Sequence, residues 1–308
     1  MKKVIVTTTI NPPTEAIRSF DAMEDWELIV VGDRKTPEYK LNRGRYVSWE
    51  EQERNYSDLC ELIGPDSVRR GRMIAFIEAH KSGANIVASI DDDNYPMADW
   101  GKDVSVGSPV EVRFFETQQL CFDPLHEIGL KEWHRGFPVE LRHDRLIIPG
   151  KMLTITPLIQ TDLWTGDIDV DATVRLFASP DTPKIGYNRF STNTFSPVNT
   201  QNTFILGKYL RDFYANIPFI GRMDDIWSGY LFESMHPNSV LYGHQTVCCK
   251  QDRSTQSIIH DLQEELFGYK NTLSFLNSLR SYGTDEAMRI HLPRKSIAAI
   301  ELYRSYFE

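Results

Sequence analysis

Three consecutive aspartates, Asp91, Asp92 and Asp93, follow an apolar run at residues 84–90 and precede Asn94, Tyr95 and Pro96. Adjacent carboxylates resist ionising together unless a cation sits among them or water screens them fully. Hard oxygen ligands suit magnesium or manganese, which keep several waters and are completed by substrate phosphates. Asp91 and Asp93 are therefore the expected ligands of a divalent metal ion, with a nucleoside diphosphate as its partner. His244 follows a strand read over residues 239–242 and is a further candidate ligand, neutral imidazole being a normal one.

Two more acidic clusters accompany the triplet. Asp167, Asp169 and Asp171 alternate, and alternate residues of an extended segment share one face, so all three are expected to point toward sugar hydroxyls or to order the site. Asp224 and Asp225 open an apolar helix, where acids complement the positive end of the dipole. One of them, Asp225 by preference, is the expected general base for an acceptor hydroxyl. Phosphates also need cations. Arg69, Arg70 and Arg72 begin a helix, Arg135 stands between His134 and Gly136, and a forked guanidinium suits phosphate oxygens. Arg72 and Arg135 are the two selected. The adjacent Cys248 and Cys249 read as buried packing.

The elements that must position these groups are legible in the first hundred residues. Residues 4–9 are β-branched and end at Asn11, Pro12 and Pro13; residues 14–23 follow as a helix capped by Thr14. Residues 26–31 are a second apolar strand, stopped by Gly32 and Asp33. Residues 67–82 have helical spacing and end at Gly83, after which the strand carrying the aspartates begins. Strands alternating with helices predict a mostly parallel sheet covered on both faces, with ligands beyond the carboxyl ends of its strands. Thr8, Thr9, Asn11, Asp33 and the triplet all fall at such ends, so one crevice should gather them. From residue 107 the segments are mixed and rich in proline and aromatics, as in a substrate-binding half. Residues 180–197 read as a long loop and a mobile lid. Helices are expected at 256–267, 270–282 and 295–307.

Composition sets the remaining bounds. With 308 residues, 41% of them hydrophobic, the chain can bury a full core. A formal charge of -9 without a basic stripe excludes a long polyanion as a standing partner. Four cysteines without CxxC spacing, and an opening segment that reads as a strand rather than a signal, lead to the expectation of a soluble, cytoplasmic protein. The apolar residues Ile297, Ile300, Leu302, Tyr303, Tyr306 and Phe307 are read as core packing, with a second subunit or a membrane surface carrying a lipid acceptor as alternatives.

Several stretches in order resemble the glycosyltransferase-like domain of the STELLO proteins: NPPTEAI from Asn11, WELIVVGDRKTP from Trp26, the Arg72 helix leading to DDDN at Asp91, RGFP from Arg135, GDIDVDA from Gly166, NTQNT from Asn199 and DDIWSGY from Asp224. The likeness spans residues 5–245. More distantly, the triplet, Leu163 and Trp164 before the Asp169 cluster, the Gly221 to Trp227 stretch and His244 are similar to the plant reversibly glycosylated polypeptides, the UDP-arabinopyranose mutases. These resemblances imply a GT-A fold, a divalent metal and a UDP-sugar donor. They also imply that Arg135 is the counterpart of a self-glycosylated arginine.

The resulting expectation is an α/β protein of GT-A type with a C-terminal helical segment. Residues 1–250 form the nucleotide-sugar domain (1–106 binding the nucleotide, 107–250 the sugar and acceptor), and residues 251–308 form the extension. Thr8, Thr9, Asn11 and Asp33 would contact the nucleoside, Arg72 the phosphates, and Asp92, Asp169 and Asp171 the ribose or sugar. Transfer would go to a glycan, lipid, protein or modified base. A mutase with self-glycosylation at Arg135 and a non-catalytic nucleotide-sugar binder are the alternatives.

Overall fold

Runs of β-branched and aliphatic residues make the strands, and their burial decides where they sit. The computed structural model describes residues 1–64, 67–146, 148–178, 189–214, 216–251 and 253–308. In chain order the strands are β1 (Lys3–Thr9), β2 (Glu27–Gly32), β3 (Arg45–Val47), β4 (Ile86–Ile90), β5 (Asn94–Pro96), β6 (Val110–Phe115), β7 (Lys151–Ile155), β8 (Ile159–Gly166), β9 (Phe190–Thr192), β10 (Asn202–Leu206) and β11 (Val240–Cys249). The α-helices are α1 (Glu15–Asp21), α2 (Trp49–Asn55), α3 (Ser57–Ile63), α4 (Ser67–Lys81), α5 (Pro124–Glu127), α6 (Ala172–Phe177), α7 (Asp224–Met235), α8 (Thr255–Tyr282), α9 (Thr284–His291) and α10 (Arg294–Ser305).

All the strands join one sheet in the order β3-β2-β1-β4-β10-β8-β11-β9-β6-β7, with β5 on β11. The first four strands are parallel, as the alternation of strand and helix predicts. Right-handed crossovers leave β1 leftward through α1 and return to β4 through α4, which places those helices on opposite faces. The strands buried on both sides, such as β4 with all five residues inside, need no polar alternation. Beyond β4 the sheet is mixed: β10 is antiparallel to both β4 and β8, and β8 is parallel to β11. The carboxyl ends of β1, β2, β4, β8 and β11 consequently face one rim.

Thr14 caps α1 through its side chain, which accepts from Ile17 N at 3.1 Å. The two helices expected at 256–267 and 270–282 are one, α8, because Gly268 lies in its interior against Met223, where any side chain would collide. Its inner face carries Phe275, stacked on Trp227 of α7 at 3.8 Å between ring centroids. α10 packs on α3, and the Tyr303 hydroxyl donates to the carbonyls of Leu210 and Phe213 at 2.8 and 3.1 Å. The aromatic C-terminal residues are thus drawn into the core. Part of the loop read at 180–197 is β9, and residues 179–188 lie outside the described residues. Among the described residues no helix is long and apolar enough to cross a membrane.

Candidate functional site

The rim of carboxyl ends encloses a cleft of about 650 Å³. Into it the structure brings Thr8, Thr9, Asn11, Asp33, Arg72, Asp91, Asp92, Asp93, Arg135, Asp169, Asp224 and Asp225. These come from segments up to two hundred residues apart, gathered because each follows a strand or begins a helix at that rim. Asp171 and His244 do not reach it.

The three aspartates have separate environments. Arg72 is buried and straps the end of β4: its Nη1 donates to Ser89 Oγ at 2.8 Å and to the Ile90 carbonyl at 2.7 Å, and its Nη2 donates to Asp91 Oδ1 at 2.6 Å. Asp91 stays open to the cleft, its side chain 42% exposed. Asp92 turns the other way. Its Oδ2 accepts from Thr9 Oγ1 and from Asn11 Nδ2 (3.0 Å), and its carbonyl accepts from Thr14 Oγ1 at 2.7 Å. Asp92 therefore braces the β1–α1 loop, so the ribose role expected of it passes to neighbours. Among the described residues the one side-chain donor beside the Asp93 carboxyl is the weak Cys249 Sγ at 3.9 Å, and the residue's own backbone N–H also serves it. Burial, with Asp91 and Asp92 beside it, pushes the Asp93 carboxyl up to about 7.

A crowded carboxylate whose ionisation is opposed by burial and by neighbouring acids is a donor that fits a hard divalent cation, which would favour its ionised form. Among the described residues no group of three or more His, Cys, Asp or Glu side chains is placed to hold a metal ion. An ion at Asp91 and Asp93 would have to draw its remaining ligands from water and a substrate. His244 is not one of them: it sits in mid-β11, where Nε2 meets Asp99 Oδ2 at 3.2 Å. Because β11 runs on to Cys249, the residues that arrive beside Asp93 are Lys250, Gln251 and Arg253. Cys249, read as inert packing, is buried but lines the cleft.

On the opposite wall Arg135 is sandwiched between two acids. Its Nε and Nη2 donate to Asp169 at 2.7 and 2.9 Å, its Nη1 and Nη2 donate to Asp225 at 2.9 and 3.0 Å, and Nη1 also reaches the Arg222 carbonyl. All five N–H groups are engaged, and burial exceeds nine-tenths for all three side chains. Burial opposes ionisation of Asp169 and Asp225, but the guanidinium wins and holds both carboxyls below the usual range. Asp225 also accepts from Thr200 N at 3.2 Å and Ile226 N at 2.9 Å. A carboxylate so fully served is a poor proton acceptor, which corrects the preference for Asp225 as base.

Asp224 differs. Both of its hydrogen bonds, from Arg69 Nε at 3.0 Å and Asn216 Nδ2 at 2.8 Å, go to Oδ2. Burial and Asp225 raise its carboxyl above the ordinary value despite Arg69. Asp171 is fully buried under Trp133 and Gly136, whose N–H groups it accepts, and burial with Glu265 nearby raises its carboxyl well above the usual range. The alternation that would have aligned it with Asp167 and Asp169 is broken by Gly166 at φ 85° and a tight turn from Val170 N to the Ile168 carbonyl at 3.0 Å.

Helix α8 supplies a wall that sequence reasoning left out of the site. Arg253 ties Asp167 to Asp261 at 2.7 and 2.6 Å, and Arg222 meets Asp261 and Glu265 at 3.3 and 3.2 Å. Glu264 approaches Arg69 at 3.6 Å. Reading β11 through to its true end would have flagged Lys250 by the same carboxyl-end rule; nothing local in α8 announces that Asp261 and Glu264 face a cleft. Compared with known proteins, the chain matches no family model and no curated sequence.

Proposed function

We propose that this protein is a metal-dependent glycosyltransferase of GT-A type that takes its sugar from a nucleoside diphosphate, of the UDP class by resemblance. The observation that carries the reading is the crowded Asp91 and Asp93 pair at the end of β4, in a nucleotide-sized cleft that Arg69 and Arg72 of α4 also line. Asp91 and Asp93 would hold magnesium or manganese, which when bound neutralises the diphosphate as the sugar leaves. Arg69, Arg72 and Lys250 lie where phosphate oxygens would enter. Thr8, Thr9, Asn11 and Asp33 border the nucleoside end. Asp224, with its raised carboxyl and an oxygen without a hydrogen-bond partner among the described residues, accepts the acceptor's proton; Asp225 and Asp169, locked by Arg135, present a fixed wall to the sugar. Arg135 has no N–H to spare and no lone pair to attack with, which weighs against the self-glycosylating mutase.

The test is calorimetric titration of UDP, GDP, CDP and ADP with manganese and with chelator, on the native chain and on Asp93→Ala. Metal-dependent binding of one diphosphate, lost in the variant, is expected. Absence of binding by all four would refute the reading.

A further inference from the structure

A second cavity, of about 230 Å³, lies at the far end of α7 from the cleft. β9 is antiparallel to β11, so the residues following β9 reach the amino-terminal end of β11, away from the rim that carries the aspartates. α7 ends at Met235 and α8 at Tyr282, and Ser234 and Leu279 from their last turns line this cavity. Both helices therefore present their negative ends to it.

Its floor is Glu233, only 8% exposed. Ser196 N donates to Glu233 Oε2 at 3.0 Å, and Oε1 has no partner among the described residues. Phe195 also lines the cavity, and an aromatic ring can attract a cation. Asn238, in the left-handed region at φ 60°, adds an amide at the mouth. Among the described residues the one basic group in the lining is Arg280, whose Nη2 donates to the Gln119 carbonyl at 2.8 Å and to Thr194 Oγ1, itself part of the lining, at 3.0 Å.

We propose that this cavity is a binding site for a small organic ammonium ion, held by Glu233 against the ring of Phe195. Two helix ends and a Glu233 carboxyl oxygen without a hydrogen-bond partner among the described residues favour a cation, and the volume admits an aliphatic amine of a few carbons. Burial raises the Glu233 carboxyl well above the usual range. An ammonium ion beside it would favour the ionised carboxylate, so binding releases to solvent whatever proton the carboxyl holds.

The probe is propylammonium chloride, titrated calorimetrically in phosphate buffer, with proton release followed by a pH indicator in weakly buffered solution. Saturable one-to-one binding with release of acid is expected. Glu233→Gln should weaken it roughly tenfold or more and abolish the proton release. Arg280→Met, at an exposed position that does not risk the fold, should tighten it by removing a like charge. Absence of saturation in the native chain, undiminished binding in Glu233→Gln, or weaker binding in Arg280→Met would each overturn the assignment; the last would mark an anion site. Asp93→Ala leaves this site untouched, so failure here is separable from failure of the nucleotide titration.

Discussion

Replacing Arg135 by methionine tests whether the Asp169–Arg135–Asp225 sandwich organises the cleft. The substitution keeps most of the side-chain bulk and removes the charge between two buried acids. Asp225 retains donors in Thr200 N and Ile226 N and sits at the positive end of α7, so it can stay ionised. Asp169 retains only Asn199 Nδ2 at 2.8 Å. Its cheapest response is to take up a proton. From an unfolded value near 3.9, protonating one carboxyl at pH 7 costs about 4 kcal/mol, and at pH 5 about 1.5 kcal/mol. The first figure lies within the roughly 3–5 kcal/mol typical of breaking a buried ion pair.

The sign follows from the linkage. In the native chain the depressed Asp169 carboxyl contributes stability above its unfolded value, lost as pH falls through the folded one. In the variant the folded value is raised, so the penalty is absent near pH 4 and grows by about 1.4 kcal/mol per pH unit. Urea unfolding at pH 5, 6 and 7, followed by fluorescence of the buried Trp164 and Trp227, reads the slope directly. Adding Asp169→Asn should restore most of the loss at pH 7 and flatten the slope. A loss under about 1 kcal/mol at pH 7, or no rescue by the second substitution, would refute the reasoning.

The two helix-opening acids should separate cleanly. Asp224→Asn is expected to lower kcat by roughly a hundredfold or more with a smaller change in KM, since a proton acceptor acts in the transition state; equal effects from Asp224→Asn and Asp225→Asn on kcat, without loss of stability in the latter, would reverse the assignment. Gly221→Ala should destabilise by roughly 2 kcal/mol or more, because Gly221 stands at φ 63° and a Cβ would strike the Glu264 carbonyl, loosening α8 from the cleft; a thermal melt checks it. Thr9→Val removes the hydroxyl that anchors Asp92 and should cost about 1 kcal/mol in the same assay, with weaker nucleotide binding if the β1–α1 loop holds the nucleoside.

The sequence by itself determined the nucleotide-side half of the fold and the floor of the cleft. β1, α1, β2, α4 and β4 are each written in local periodicity and end signals, and parallel strands joined by helices leave one topology, so Thr8, Asp33, Arg72 and Asp91 had to meet. The roles of those residues were decided only in three dimensions. Asp91, Asp92 and Asp93 are identical in kind and adjacent in sequence, yet one faces an arginine, one a loop and one a thiol, because direction at a strand end is set by what packs there. Likewise Asp224 and Asp225 have different surroundings because Arg135, ninety residues from Asp225 in sequence, reaches one of them. β11 was cut short in the sequence reading because polar residues from His244 to Thr246 interrupt its apolar run, and in the fold a register shift between Gly243 and Val247 lets the strand resume. That continuation, together with the long-range seating of α8, brought Lys250, Arg253, Asp261 and Glu264 to the site, contacts that no local pattern encodes.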